Sequence, residues 1–156
     1  MAAKIGHKAP VFKLVDTDRN IIALDDFAGK NVVILFFPAA FTGVCTKEMC
    51  RTRDELSDYN NMNAQVVGIS VDLPFTLAKF REINKITFPL LSDFNKQAGK
   101  QYGVLYDEWI LGLKGVAKRS TFVVDKTGIL RHAEILEDAG NFPDFDAVKN
   151  CLAGLG

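Results

Sequence analysis

Apolar positions along this chain fall into two rhythms. Val11 to Val15 and Ile21 to Leu24 flank the polar stretch Asp16-Thr-Asp-Arg-Asn20, which predicts an opening β-hairpin. Asn31 to Phe37 (NVVILFF) is a continuous β-branched and aromatic run, the pattern of a central strand buried on both faces. From Thr42 to about Asn60 the period changes to helical: Thr42 suits an N-cap, and Cys45, Met49, Thr52, Leu56 and Tyr59 form one stripe. Gln65 to Val71 predicts a second buried strand and Pro74 to Lys85 a second helix, with Pro74 suited to its first turn. A short strand is expected at Pro89 to Ser92 and a short helix at Asn95 to Tyr102. Thr121 to Asp125 and Ile129 to Ile135, joined by Lys126-Thr-Gly128, predict an antiparallel hairpin, and a last helix is expected over Pro143 to Leu152. Strands alternating with helices imply an α/β fold with a mixed central sheet, helices on both of its faces and a β-hairpin at the N-terminal end.

Composition narrows this picture. The 156 residues fit one domain, expected to span 1–156, because no repeat, low-complexity tract or linker divides them. Lys plus Arg and Asp plus Glu number 19 each, so a zero formal charge offers no footprint for nucleic acid or an anionic membrane. The N-terminal segment has no apolar stretch of signal-peptide character and no run approaches a membrane span, which makes a cytoplasmic protein the expectation. In that compartment three cysteines point to free or catalytic thiols rather than structural disulfides.

The chemistry gathers in Pro38-Ala-Ala-Phe-Thr42-Gly-Val-Cys45-Thr-Lys-Glu48-Met-Cys50, directly after the central strand. A helix N-terminus carries a partial positive charge that favours a thiolate, so Cys45 is the candidate nucleophile at the floor of a pocket. Pro38 stiffens the turn, and the Thr42 hydroxyl can donate a hydrogen bond into the same site. Cys50 lies about 140° further round the helix, on a face shared with Arg53, Asp54 and Ser57 and expected to be nearer solvent. The two α-carbons are about 8.6 Å apart in an intact helix. A disulfide needs about 7 Å or less, so a Cys45 to Cys50 bond requires the first helical turns to unwind. Arg119 precedes a predicted core strand; should that strand neighbour Asn31 to Phe37, it could reach Cys45 and stabilise a thiolate and a developing oxyanion. His7 and His132 form no metal-ligand spacing with the cysteines and are expected to be structural or exposed. Cys151 is expected to be a packing thiol or an alternative resolving partner.

These residues resemble the peroxiredoxin family. The carriers of the resemblance are Pro38-x-x-x-Thr42-x-x-Cys45 followed by Glu48, Arg119 three residues before Phe122, the opening Gly6-His7-Lys8-Ala9-Pro10-x-Phe12, and Gly68-Ile-Ser-Val-Asp72. The resemblance implies a thioredoxin-like fold and reduction of hydrogen peroxide and alkyl hydroperoxides with no metal or other cofactor. It implies that Cys45 is the peroxidatic cysteine and becomes a sulfenic acid, that Thr42 and Arg119 align the peroxide, and that Pro38 shields the sulfenic acid. The sequence around Cys45 looks most like the alkyl hydroperoxide reductase E branch, many of whose members use one cysteine. Cys50 falls where the bacterioferritin-comigratory-protein or Q-type branch places a resolving cysteine. The expected cycle therefore closes a Cys45 to Cys50 disulfide, reduced by thioredoxin or a similar dithiol protein. The alternatives are a one-cysteine peroxidase resolved by an external thiol, a disulfide reductase (disfavoured by the absence of CxxC), and a redox-switched binding protein or chaperone. A zinc site on Cys45 and Cys50 lacks two of its four ligands. Phe41, Phe75 and the loop Trp109-Ile-Leu111 are candidates for either a homodimer surface or core.

Overall fold

The computed structural model describes residues 3–155 and shows an α/β fold around a seven-stranded mixed sheet. Its strands are β1 (Lys13–Asp16), β2 (Ile21–Ala23), β3 (Asn31–Phe36), β4 (Ala64–Ser70), β5 (Leu90–Ser92), β6 (Ser120–Val124) and β7 (Leu130–Ile135), in the order β2-β1-β5-β4-β3-β6-β7. The helices are α1 (Gly43–Asp54), α2 (Leu56–Asn61), α3 (Pro74–Ile83), α4 (Gln97–Tyr102) and α5 (Phe145–Leu155). Among the described residues no helix is long and apolar enough to cross a membrane.

β3 sits between parallel β4 and antiparallel β6, and all six of its residues are buried. Alternation along it divides the core in two. Ile34 and Phe36 join Phe12, Val67, Ile69, Tyr102 and Phe122 on one face, while Val33, Leu35 and Phe37 join Met49, Leu77, Phe80, Val148 and Leu152 on the other. Gly68 lets these layers close: a Cβ there would stand 2.7 Å from Leu90 Cδ2 and 3.4 Å from both Met49 Sδ and a Phe37 ring carbon.

The opening hairpin forms as expected but is not separate from the sheet, since β1 also pairs antiparallel with β5. The single helix expected from Thr42 to Asn60 is two helices. Glu55, at φ −100° and ψ 13°, breaks the run between α1 and α2. Its carboxylate is held by Lys149 of α5, which also bonds Asp58 at 3.2 Å. The bend lets α2 pack on β4 with Tyr59 buried. These long-range partners override a local helical period that does not itself falter at Glu55.

Candidate active site

The register of β3 against β6 assembles the site. Phe36 lies opposite Ser120, so Arg119, one residue earlier, stands beside the turn that leaves β3 and opens α1. The condition placed on Arg119 by the sequence is met: its Nη2 lies 3.3 Å from Cys45 Sγ. Nη1 donates to Glu48 Oε1 at 2.6 Å, and Nη2 and Nε donate to Ala139 O at 3.0 and 3.3 Å. The guanidinium is thus fixed by α1 on one side and by the loop after β7 on the other. Arg119 is only 1% exposed and Glu48 not at all.

Burial works against both charges of this pair. It pushes the Glu48 carboxyl up to about 7 against the pull of the Arg119 charge and hydrogen bond, with Glu134 adding repulsion. For Arg119, burial opposes the charge, but Glu48 and the Cys45 sulfur more than restore it and hold the guanidinium above its ordinary range. Glu48 Oε2 is buried without a hydrogen-bond partner among the described residues. Sequence reading gave Glu48 no role, although its position three residues after Cys45 places both on one helical face.

Cys45 is buried, 2% exposed, in the first turn of α1. It lies in a cavity of about 630 Å³ lined by Thr42 to Cys45, Tyr106, Trp109, Ile110, Arg119 and residues 137–140. Thr42 is the N-cap residue in extended conformation, yet its hydroxyl does not cap the helix. It donates to Ala39 O at 2.7 Å, leaving its lone pairs free to accept. Pro38 is buried in the turn after β3 and does not line the cavity. Trp109, a candidate for either a homodimer surface or core, is half-buried, stacks on Tyr106 with ring centres 6.2 Å apart, and forms a cavity wall. Its neighbours Ile110 and Leu111 are exposed.

Cys50 was expected nearer solvent but is half-buried, because the end of α3 covers its face of α1. Its Sγ lies 3.7 Å from Asn84 Oδ1, and Arg53 donates to the Asn84 carbonyl. All three cysteines are free thiols, and Cys151 packs half-buried against the α1 side of the core. His7 is exposed, whereas His132 is half-buried on β7.

Comparison with known proteins fits this geometry. Residues 5–133 match the model of the AhpC/TSA family. The chain belongs to this family. It is a peroxiredoxin, a peroxide-reducing oxidoreductase with the thioredoxin-like fold. A putative peroxiredoxin of Mycobacterium tuberculosis is 45% identical over 125 residues, 79% of each chain. Alkyl hydroperoxide reductase E of the same organism is 38% identical over 154 residues, 97% of each chain. The crystal structure of peroxidoxin BcpB, also from Mycobacterium tuberculosis, superimposes with a TM-score of 0.85 at 31% identity, covering 99% of both chains. In this peroxiredoxin the fold therefore brings Thr42, Cys45 and Arg119 to one cavity, with Glu48 buried behind Arg119, and leaves Cys50 one helical face away, against α3.

Proposed function

We propose that this peroxiredoxin reduces hydrogen peroxide and organic hydroperoxides through Cys45, that Cys50 then closes an intramolecular disulfide, and that thioredoxin or a similar dithiol protein reopens it. The observation that carries the reading is the Arg119 guanidinium 3.3 Å from the Cys45 sulfur, held on both sides beside a cavity of about 630 Å³. The Cys45 thiolate attacks a peroxide oxygen in line with the O–O bond. An S–O bond forms as the O–O bond breaks, the sulfur loses two electrons, and the departing oxygen takes up a proton to leave as water or alcohol. Arg119 stabilises the charge that spreads over the breaking bond. The Thr42 lone pairs accept the peroxide O–H, and Pro38 limits further oxidation of the sulfenic acid. Cys50 sulfur then displaces hydroxide from the Cys45 sulfenic sulfur, and the hydroxide leaves as water after taking a proton. A thiol cycle of this kind suits a reducing compartment such as the cytoplasm.

Mass spectrometry after one equivalent of peroxide tests both halves. The parent protein is expected to lose two hydrogens as a Cys45 to Cys50 bond, Cys50→Ser to gain one oxygen on Cys45, and Cys45→Ser to remain unmodified with no turnover. Turnover in Cys45→Ser would overturn the assignment. The half-buried Cys50, bonded to Asn84 away from the cavity, favours one alternative. A parent protein that keeps an unbridged sulfenic acid is a one-cysteine peroxidase.

A further inference from the structure

The segment Gly68-Ile-Ser-Val-Asp72 contains a side chain that the chemistry above does not use. Asp72 follows β4, whose end lies beside the end of β3. Its Oδ2 accepts the backbone N–H of Ala40 at 2.8 Å, in the turn between β3 and Thr42. The same oxygen accepts the Ser70 hydroxyl at 2.6 Å, and Ser70 Oγ in turn accepts the Asp72 N–H at 3.2 Å. The Asp72 carbonyl accepts the Ser92 hydroxyl at 2.5 Å, which ties the residue to β5 as well. Asp72 is thus anchored to two strands while its carboxylate holds a loop.

That loop is under conformational load. Phe41 has φ 66°, in the left-handed region that a side chain other than glycine occupies at a cost. Its ring is half-exposed and meets Phe80 edge-on. On either side of it, Ala40 N–H is held by Asp72, and Ala39 O accepts the Thr42 hydroxyl at 2.7 Å. Thr42 O then accepts the Thr46 N–H at 3.0 Å, so the bonded path from Asp72 leads directly to the first turn of α1 and Cys45.

We infer that Asp72 is a positioning residue: its carboxylate latches the 38–42 turn in the conformation that presents Thr42 and Cys45 to peroxide, against the strain at Phe41. The inference rests on the peroxidase reading for its kinetic consequences but not for its structural one. Attack on peroxide needs the latched turn, whereas closing a Cys45 to Cys50 bond needs the start of α1 to unwind. The latch therefore acts in opposite directions on the two steps, which a general loss of stability does not.

The test compares Asp72→Asn, which keeps an uncharged acceptor, with Asp72→Ala. A hydrogen bond to a charged group accounts for roughly a tenfold change in a local equilibrium, and a neutral acceptor retains about half of its strength. Amide hydrogen exchange of Ala40 to Thr46 in the reduced protein is expected to quicken roughly tenfold in Asp72→Ala and about threefold in Asp72→Asn, with β3 and β4 amides unchanged. Stopped-flow oxidation is expected to slow in the same order while disulfide closure from the sulfenic acid quickens. Unchanged exchange at Ala40 to Thr46, uniform acceleration of all protected amides, or parallel slowing of both chemical steps in either variant overturns the latch. The Asp72→Asn arm decides alone should Asp72→Ala not fold. Absence of any Cys45 oxidation in the parent protein defeats the peroxidase reading instead, and the exchange result still stands.

Discussion

Glu48 and Arg119 form an ion pair that water does not reach, and such a pair is more revealing when broken than when intact. The Glu48 carboxyl is raised to about 7 from an ordinary value of 4.5, so between these two pH values the folded protein binds a proton that the unfolded chain has released. Stability from this group is therefore greatest below about pH 4.5 and falls as pH rises through about 7. Glu48→Gln removes the titration and keeps an oxygen for Arg119. Urea midpoints measured at about pH 5 and about pH 8 are expected to differ less in the variant than in the parent, and an equal difference would show that Glu48 is ionised throughout. Arg119→Lys tests the other partner. A lysine ammonium is a point charge and cannot reproduce a planar fork that meets Glu48, Cys45 and Ala139 together. Cys45 oxidation is expected to slow by roughly a hundredfold, read by stopped-flow, and a change under threefold would remove Arg119 from the reacting site. The arginine was legible only conditionally: its place before an apolar strand was uninformative unless that strand neighbours β3, and the pairing supplies that condition. Glu48 was not legible, because a lone acidic residue in a helical run reads as a solvent-facing one until a partner 71 positions away is known.

α1 was legible from Thr42 onwards in its apolar stripe, and Cys45 and Met49 occupy the buried face that the stripe assigns them. Its end was not. Glu55 has no breaker residue beside it, and the bend depends on Lys149, which lies 94 positions further along. The same distinction separates β3, whose uniform burial is written in NVVILFF, from its pairing with β6, which only the folded sheet supplies. Strand pairing places the arginine, so the decisive geometry of the site came from contacts that no local pattern encodes. One local consequence does follow from the spacing alone. Cys45 and Cys50 lie within one intact helix, so their disulfide needs the helix to open. Circular dichroism is expected to lose helical signal on oxidation, with faster hydrogen exchange confined to residues 42–52. An oxidised protein with this bond and an unchanged α1 would contradict the geometry.

Unwinding α1 has a thermodynamic consequence for the entire fold. A disulfide ordinarily stabilises by restricting the unfolded chain, but the loop between Cys45 and Cys50 is so short that the chain-entropy estimate is only about 2 kcal/mol. Against this stands what the opened helix gives up. Met49, between the two cysteines, is fully buried against Gly68, and burying such a side chain contributes about 1.5–3 kcal/mol. Glu48 lies in the same stretch, and separating it from buried Arg119 costs about 3–5 kcal/mol. The losses exceed the gain, so the oxidised protein is expected to be less stable than the reduced one by about 2.5–6 kcal/mol, a fall in melting temperature of roughly 5–24 °C for a chain of this size. Calorimetry of the peroxide-treated protein beside its dithiothreitol-reduced form measures the difference directly. A melting temperature that stays level or rises on oxidation would mean that Met49 and the Glu48–Arg119 pair keep their places, and that the two cysteines meet without opening this part of α1. A lower one would give the reductant a thermodynamic advantage: reopening the disulfide is then coupled to refolding of the helix that presents Cys45 to the next peroxide.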